Sequence, residues 1–321
     1  MKDPNLTAPD LVESDFSAAG LQYAKNDKGQ MLSLPWSVDY FILYYNKELF
    51  QKKGVAVPKT FDEMVAAAEK LTDAKEGTFG FVGRGLRNAN MTLWTNFFLN
   101  YGGEFLDAKG NILTDGPEAI EATKLYQTLL TKVAPPGVAG FNWMESMASF
   151  TQGRSAMWID GVGWAPPLED PAASRIVGKV GYTDGARRTE GPIFGDLWRR
   201  PRHRGGEQEQ GSRLSALPMG CVEDARRAAA AGRRRRAVPQ LDPQRSRKSS
   251  KGVKMPQEWL QSVIDSAKIS KLGLPVIIPV AEFRDLVGAG ITATLSGADP
   301  ATELKKAHEQ FRPILERSEK A

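Results

Sequence analysis

Leu34 to Leu71 reads LPWSVDYFILYYNKELFQKKGVAVPKTFDEMVAAAEKL, and the fold class turns on how it is parsed. Periodicity alone leaves Asp39 to Tyr45 open between a strand and a buried helix, and the enrichment in Tyr, Ile and Phe decides for a strand. A polar exit, Tyr45-Asn46-Lys47, leads into a short helix that Gly54 stops, then an extended segment to Pro58. Thr60 followed three residues later by Glu63 predicts a capping box, with Phe61, Met64, Val65, Ala68 and Leu71 as the buried face of the helix behind it.

Outward from this unit, residues 1–29 are polar with helical fragments, and Gln30 to Leu34 reads as a further strand. Downstream, Phe79 to Val82 reads as a strand and Gly83 to Asn90 as a Gly/Arg/Asn-rich turn. Met91 to Tyr101 follows as a helix carrying Trp94, Phe97 and Phe98, and it ends at Gly102-Gly103. Asp115, ahead of Pro117 and Glu118, opens a helix to about Val133 whose buried stripe is Ala119, Ala122, Tyr126, Leu129 and Leu130. Phe141 to Gly153 carries a short helix. Ser155 to Ile159 is a strand ending in Asp160-Gly161-Val162-Gly163-Trp164, a glycine-flexed turn that sets a tryptophan on an edge. After residue 251, Pro256 to Ile269 is amphipathic and Leu274 to Val280 is an apolar connector. Ala281 to Leu295 and Asp299 to Leu315 form a helical pair, with Asp299 as cap and Pro300 at the first helical position.

The 321 residues, 41% hydrophobic and 25% charged, fit two globular domains. No run approaches the ~18 apolar residues of a membrane span. The first residues lack the basic-then-apolar order of a signal peptide, so the chain as written is expected to stay in the cytoplasm. One cysteine, Cys221, forbids an intrachain disulfide, and two histidines build no usual zinc site, so neither a structural metal nor a cofactor is expected. The net charge of +5 is concentrated in one place: Asp184 to Lys251 holds 15 Arg and 2 Lys against 8 acids, and the remainder is mildly acidic. That stretch has no sustained strand or helix period. One reading is a nucleic-acid-binding surface over residues 187–251, although only Phe194 and Trp198 are present to stack on bases. The reading preferred is out-of-frame translation between two compensating frame changes, so no nucleic-acid partner is expected.

Four segments carry a family resemblance. LYYNKELFQKKGVAVPKTFDEMVAAAEKL, NYGGEFLDAKGNILTDGPEAIEATKLYQTLL, FTQGRSAMWIDGVGW and LVGAGITATLSGADPATELKKAHEQF, in that order, resemble the extracellular solute-binding proteins of ABC importers, in the cluster that captures sugars and oligosaccharides. The resemblance implies a periplasmic-binding-protein type II fold, two α/β lobes closing on ligand like a clamp, with membrane permease subunits as partners and a periplasmic location. On this pattern residues 1–38 are a remnant of the N-terminal lobe and hinge approach, and 39–183 are the first part of the C-terminal lobe. Residues 184–250 replace the return into the N-terminal lobe, and 251–321 are the closing helices. The C-terminal lobe is then essentially complete and the N-terminal lobe incomplete, so weak or absent sugar capture is expected, down to an inactive degraded gene product.

Sugar capture needs flat apolar faces for C–H groups and polar side chains for hydroxyls. Carried over position by position, the resemblance puts Trp164 on the ligand, Arg284 and Asp285 on its hydroxyls, Asp39 and Trp94 along the cleft, and Trp36 at the hinge approach. Each has a plainer alternative: a core-edge tryptophan for Trp164, solvated helix charges for Arg284 and Asp285, a strand-end acid for Asp39, packing for Trp36. An enzyme is not expected. No carboxylate pair is singled out for glycoside hydrolysis, and there is no Ser/His/Asp set, phosphate loop or dinucleotide fingerprint.

Overall fold

The computed structural model describes residues 21, 24, 25, 29, 30, 39–185, 255–269 and 271–319. Trp36, all but Gln30 of the strand expected at Gln30 to Leu34, and nearly all of the arginine-rich stretch lie outside these residues.

From Tyr40 onward the described chain forms one α/β body. Strand β1 (Phe41–Asn46) is central, flanked by β2 (Met157–Gly161) and β3 (Val180–Thr183), both antiparallel to it. Asn46 ends the strand by capping helix α1 (Lys47–Lys53): its Oδ1 accepts from the amides of Glu48 (3.1 Å) and Leu49 (3.3 Å). Gly54 stops α1 in the left-handed conformation, φ +61°, which glycine adopts without the cost a Cβ would bring.

Helix α2 (Phe61–Leu71) starts with the expected box. Glu63 N donates to Thr60 Oγ1 (3.2 Å), and the Glu63 carboxylate accepts from the amides of Lys59 (2.7 Å) and Thr60 (3.2 Å). Those amides hold the Glu63 carboxyl below its ordinary range, so this contribution is present above about pH 4.5 and fades as pH falls through the folded value. Thr60→Ala removes one half of the box and is expected to cost about 1 kcal/mol. A thermal melt should read this as a midpoint roughly 2–4 °C lower, and an unchanged melt would show that the cap contributes nothing.

Phe79 to Val82 is not a continuous strand. Phe79 and Val82 bridge in parallel to Ser155 and Trp158 at the free edge of β2, but between them Gly80 N donates to Thr72 Oγ1 (2.9 Å) at the end of α2. That bond takes Gly80 out of the ladder. β2 also runs two residues later than its expected span, because its pairing with β1 places Met157 opposite Tyr45 and Gly161 opposite Phe41.

Alternation along β2 sends Met157 and Ile159 into the main core, with Trp158 and Asp160 on the other face, where Trp158 stacks on Tyr44 at 4.9 Å. The main core is closed by α2, α3 (Met91–Asn100), α4 (Pro117–Lys132) and the pair α8 (Val280–Thr294) and α9 (Pro300–Glu319), whereas α5 (Trp143–Thr151) sets Phe150 against Tyr44 and Trp158 on the other face. Short α6 (Ala165–Leu168) follows β2, and α7 (Gln257–Ile269) packs along β3 and β1. Helix α4 begins at Pro117 after Gly116, which makes no side-chain cap. Asp115 instead lies 3.2 Å from His308 on α9. Asp299 caps α9 as expected, accepting from Thr302 N and Oγ1, both at 2.8 Å.

An aromatic chain joins the early and late segments: Trp94 stacks on Phe98 (4.8 Å), Phe98 meets Phe105, Phe105 meets Phe283 edge-on (5.8 Å), and Phe283 meets Phe311 (5.3 Å). Through it α8 is anchored to α3 across the intervening residues 186–254. Among the described residues no helix is long and apolar enough to cross a membrane, and no three His, Cys, Asp or Glu side chains gather where they could hold a metal ion.

Candidate functional site

β2 delivers Asp160 to the edge of the body with only 1% of its surface exposed. A carboxylate so placed is unstable unless its oxygens are occupied, and here they are. Oδ2 accepts from Arg84 Nε (2.8 Å). Oδ1 accepts from Arg84 Nη2, from Gly161 N (2.8 Å) and from Trp164 Nε1 (3.0 Å). The bidentate pair fixes Arg84, and the last bond fixes the Trp164 indole. Trp143, the first residue of α5, lies parallel to that indole at 4.2 Å and 9°. Both tryptophans are part-exposed, so together they make a rigid two-ring slab at the surface.

Arg84 comes from the loop Gly83 to Asn90, which is held along its whole length. The amides of Gly85 and Leu86 donate to Phe141 O (3.0 and 2.9 Å), and Tyr126 Oη donates to Arg84 O (3.0 Å). A Cβ on Gly85 would collide with the Val138 carbonyl, so only glycine lets the loop come this close. At the far end Asn90 Nδ2 donates to Gly288 O (2.8 Å) and Thr292 Oγ1 (3.0 Å) of α8. Asn88, at φ +70°, donates from Nδ2 to Asp285 Oδ1 (2.8 Å) and accepts from Arg284 Nη2 at its carbonyl (3.3 Å). Arg87 stands 4.0 Å from the other oxygen of Asp285. Burial lowers the pKa of the Arg284 guanidinium, and the nearby charge of Arg84 lowers it further, with Asp285 opposing.

Three of the sequence-predicted residues are therefore gathered by one loop: Trp164 through Asp160 and Arg84, and Arg284 and Asp285 through Asn88. Trp94 is not among them. It is fully buried, stacked on Phe98, and its Nε1 donates to Thr123 Oγ1 (2.8 Å), so no face of the indole is open to a cleft. The hydroxyl of a helix further along the chain makes this burial possible by satisfying the indole N–H. Asp39 is exposed and precedes the body that carries the others.

Sequence reasoning missed Arg84, Trp143 and Asn88. Arg84 had one local signal, an arginine between two glycines directly after a sheet-edge segment. Trp143 had only its position behind the Asn142 cap, whose Oδ1 accepts from Trp143 N (2.8 Å).

Residues 2–186 match the family model described as bacterial extracellular solute-binding protein. The chain belongs to that family. This family member is 29% identical over 185 residues to a probable amino-acid ABC transporter periplasmic-binding protein of Sinorhizobium fredii, a match covering 55% of the chain and 41% of the relative. It is 27% identical over 159 residues to a mannitol-binding protein of Pseudomonas aeruginosa, covering 48% of the chain and 36% of the relative. The chain thus spans about two fifths of the length of these curated relatives. Its structure matches an ABC transporter solute-binding protein of Agrobacterium radiobacter in complex with ribitol, at a TM-score of 0.70 and 25% identity over 94% of this chain and 75% of that one. The fold is that of the periplasmic solute-binding proteins.

Proposed function

We propose that this chain is the solute-binding component of an ABC importer and that it captures a sugar or sugar alcohol outside the cytoplasmic membrane for delivery to permease subunits. The observation that carries this reading is that one loop, through Arg84 and Asn88, ties the Trp143–Trp164 slab to the Arg284 and Asp285 pair of α8. An aromatic plane suits the C–H face of a polyol or pyranose, and neighbouring charged and amide groups suit its hydroxyls. The relatives that bind mannitol and ribitol by name point to the same ligand class.

The body from Tyr40 onward acts as the C-terminal lobe, and its rim is one wall of a clamp. Trp164 offers the stacking face, Asp285 and Asn88 bond hydroxyls, and Arg84 with Asp160 keeps the indole in place. One stacking face and a few hydroxyl bonds on this rim are expected to hold D-mannitol with Kd on the order of 1–10 mM.

Titration of the full chain with D-mannitol, ribitol and maltose, followed by tryptophan fluorescence and by saturation-transfer NMR, tests this. A saturable response to at least one is expected. Trp164→Ala should weaken it by about 2- to 10-fold, the worth of one stacking face at about 0.5–1.5 kcal/mol. No response from any of the three, or an affinity indifferent to Trp164, would remove the rim from the reading.

A further inference from the structure

The rim does not balance its charges. Asp160 is fully engaged by Arg84, and the two oxygens of Asp285 are directed at Asn88 Nδ2 (2.8 Å) and Arg87 (4.0 Å). Arg284 is the third cation. Among the described residues its Nε is buried without an acceptor, and its Nη2 has one long bond to the Asn88 carbonyl at 3.3 Å. A buried guanidinium N–H left unpaired is costly, and this one belongs to the Nε–Nη2 edge, which presents two parallel donors. Arg84 shows what that edge accepts, since it meets the Asp160 carboxylate through the same two nitrogens.

We propose that Arg284 receives the carboxylate of an acidic sugar or polyol, an aldonate or uronate, whose carbon chain lies toward the Trp143–Trp164 slab. This rests on the solute-binding reading above and narrows it from neutral polyols to their acids. The incoming carboxylate accepts from the unpaired Nε–H, shares Nη2 with the Asn88 carbonyl and offsets the excess positive charge. Burial and the charge of Arg84 both disfavour an isolated guanidinium at this point, so an anion there is stabilised by more than a surface arginine would supply. A hydroxyl in the same place accepts from the fork but brings no negative charge, so Asp285 alone opposes the guanidinium charge.

The test compares D-mannitol with D-mannonate on the full chain, by calorimetry and tryptophan fluorescence at fixed ionic strength, in the unaltered protein and in Arg284→Gln and Arg284→Lys. D-Mannonate is expected to bind at least tenfold more tightly than D-mannitol, as a charge-assisted pair would. Arg284→Gln should bring the two solutes within about twofold of each other, and Arg284→Lys, which keeps the charge but not the fork, should retain only part of the preference. Circular dichroism confirms that each variant is folded, and Lys carries the comparison if Gln does not fold. D-Mannitol binding as well as D-mannonate overturns the acid assignment while leaving the solute-binding reading intact. A preference that survives in both variants removes Arg284 from it. Tighter binding of D-glucose 6-phosphate than of D-mannonate replaces carboxylate by phosphate, and failure of every solute to bind overturns both readings.

Discussion

Asp160→Ala is expected to lower the thermal midpoint of the protein by about 10 °C and to weaken solute binding by about 2- to 10-fold, as much as loss of the Trp164 ring itself. The carboxylate is buried and accepts four hydrogen bonds, two of them from a guanidinium that is itself only 13% exposed. Removing it leaves the Arg84 charge without a partner inside the fold, which costs about 3–5 kcal/mol. At roughly 2–4 °C per kcal/mol for a chain of this size, that sets the scale of the shift. Asp160→Asn keeps the acceptor for Trp164 Nε1 but not the charge opposite Arg84, so it should fall between the two. Replacing both partners, Arg84→Met with Asp160→Leu, should recover much of the stability but not the affinity, since an apolar pair of similar volume does not strand a charge but no longer holds the indole. Calorimetric melts of the four proteins check this. A midpoint within 2 °C of the parent for Asp160→Ala would show that the pair is not a structural tie.

Phe283→Ala is the other large effect expected, at about 3–5 kcal/mol in urea unfolding. The ring is fully buried and meets Phe105 on one side and Phe311 on the other. Truncation takes away the ring that both contacts share, so a cavity opens between them. The residue also precedes Arg284 and Asp285, so the cavity loosens the turn of α8 that sets the charged half of the rim. Both stability and solute affinity should therefore fall, whereas Thr60→Ala should change stability alone. A loss below about 1 kcal/mol would mean that the core repacks.

What was legible in the sequence was mostly what is decided within a few residues. The Thr60/Glu63 box, the Asn46 exit, the Gly54 stop and the Asp299 cap all satisfy backbone amides with neighbours in the chain, and each appears where the pattern places it. The strand at Phe41 follows from its Tyr, Ile and Phe enrichment, and the closing helix pair from periodicity. Long-range pairings were not legible. Trp94 and Trp164 look alike in sequence, yet one is sealed in the core because Thr123 on another helix accepts its N–H, and the other reaches the surface because Asp160 does. Arg84 was overlooked because its partner lies 76 residues away. The interruption of the strand at Gly80 comes from a hydroxyl on α2, which no alternation pattern reports.

One loop, Gly83 to Asn90, supplies both the arginine that tethers the aromatic slab and the asparagines that grip α8. The two halves of the rim are consequently not free to vary one at a time. A substitution at Asn88 or Gly85 made to suit a new ligand at Arg284 also moves the support of Trp164, and the reverse holds. Changes in specificity on this scaffold should therefore be epistatic across the loop, with paired substitutions succeeding where either alone fails.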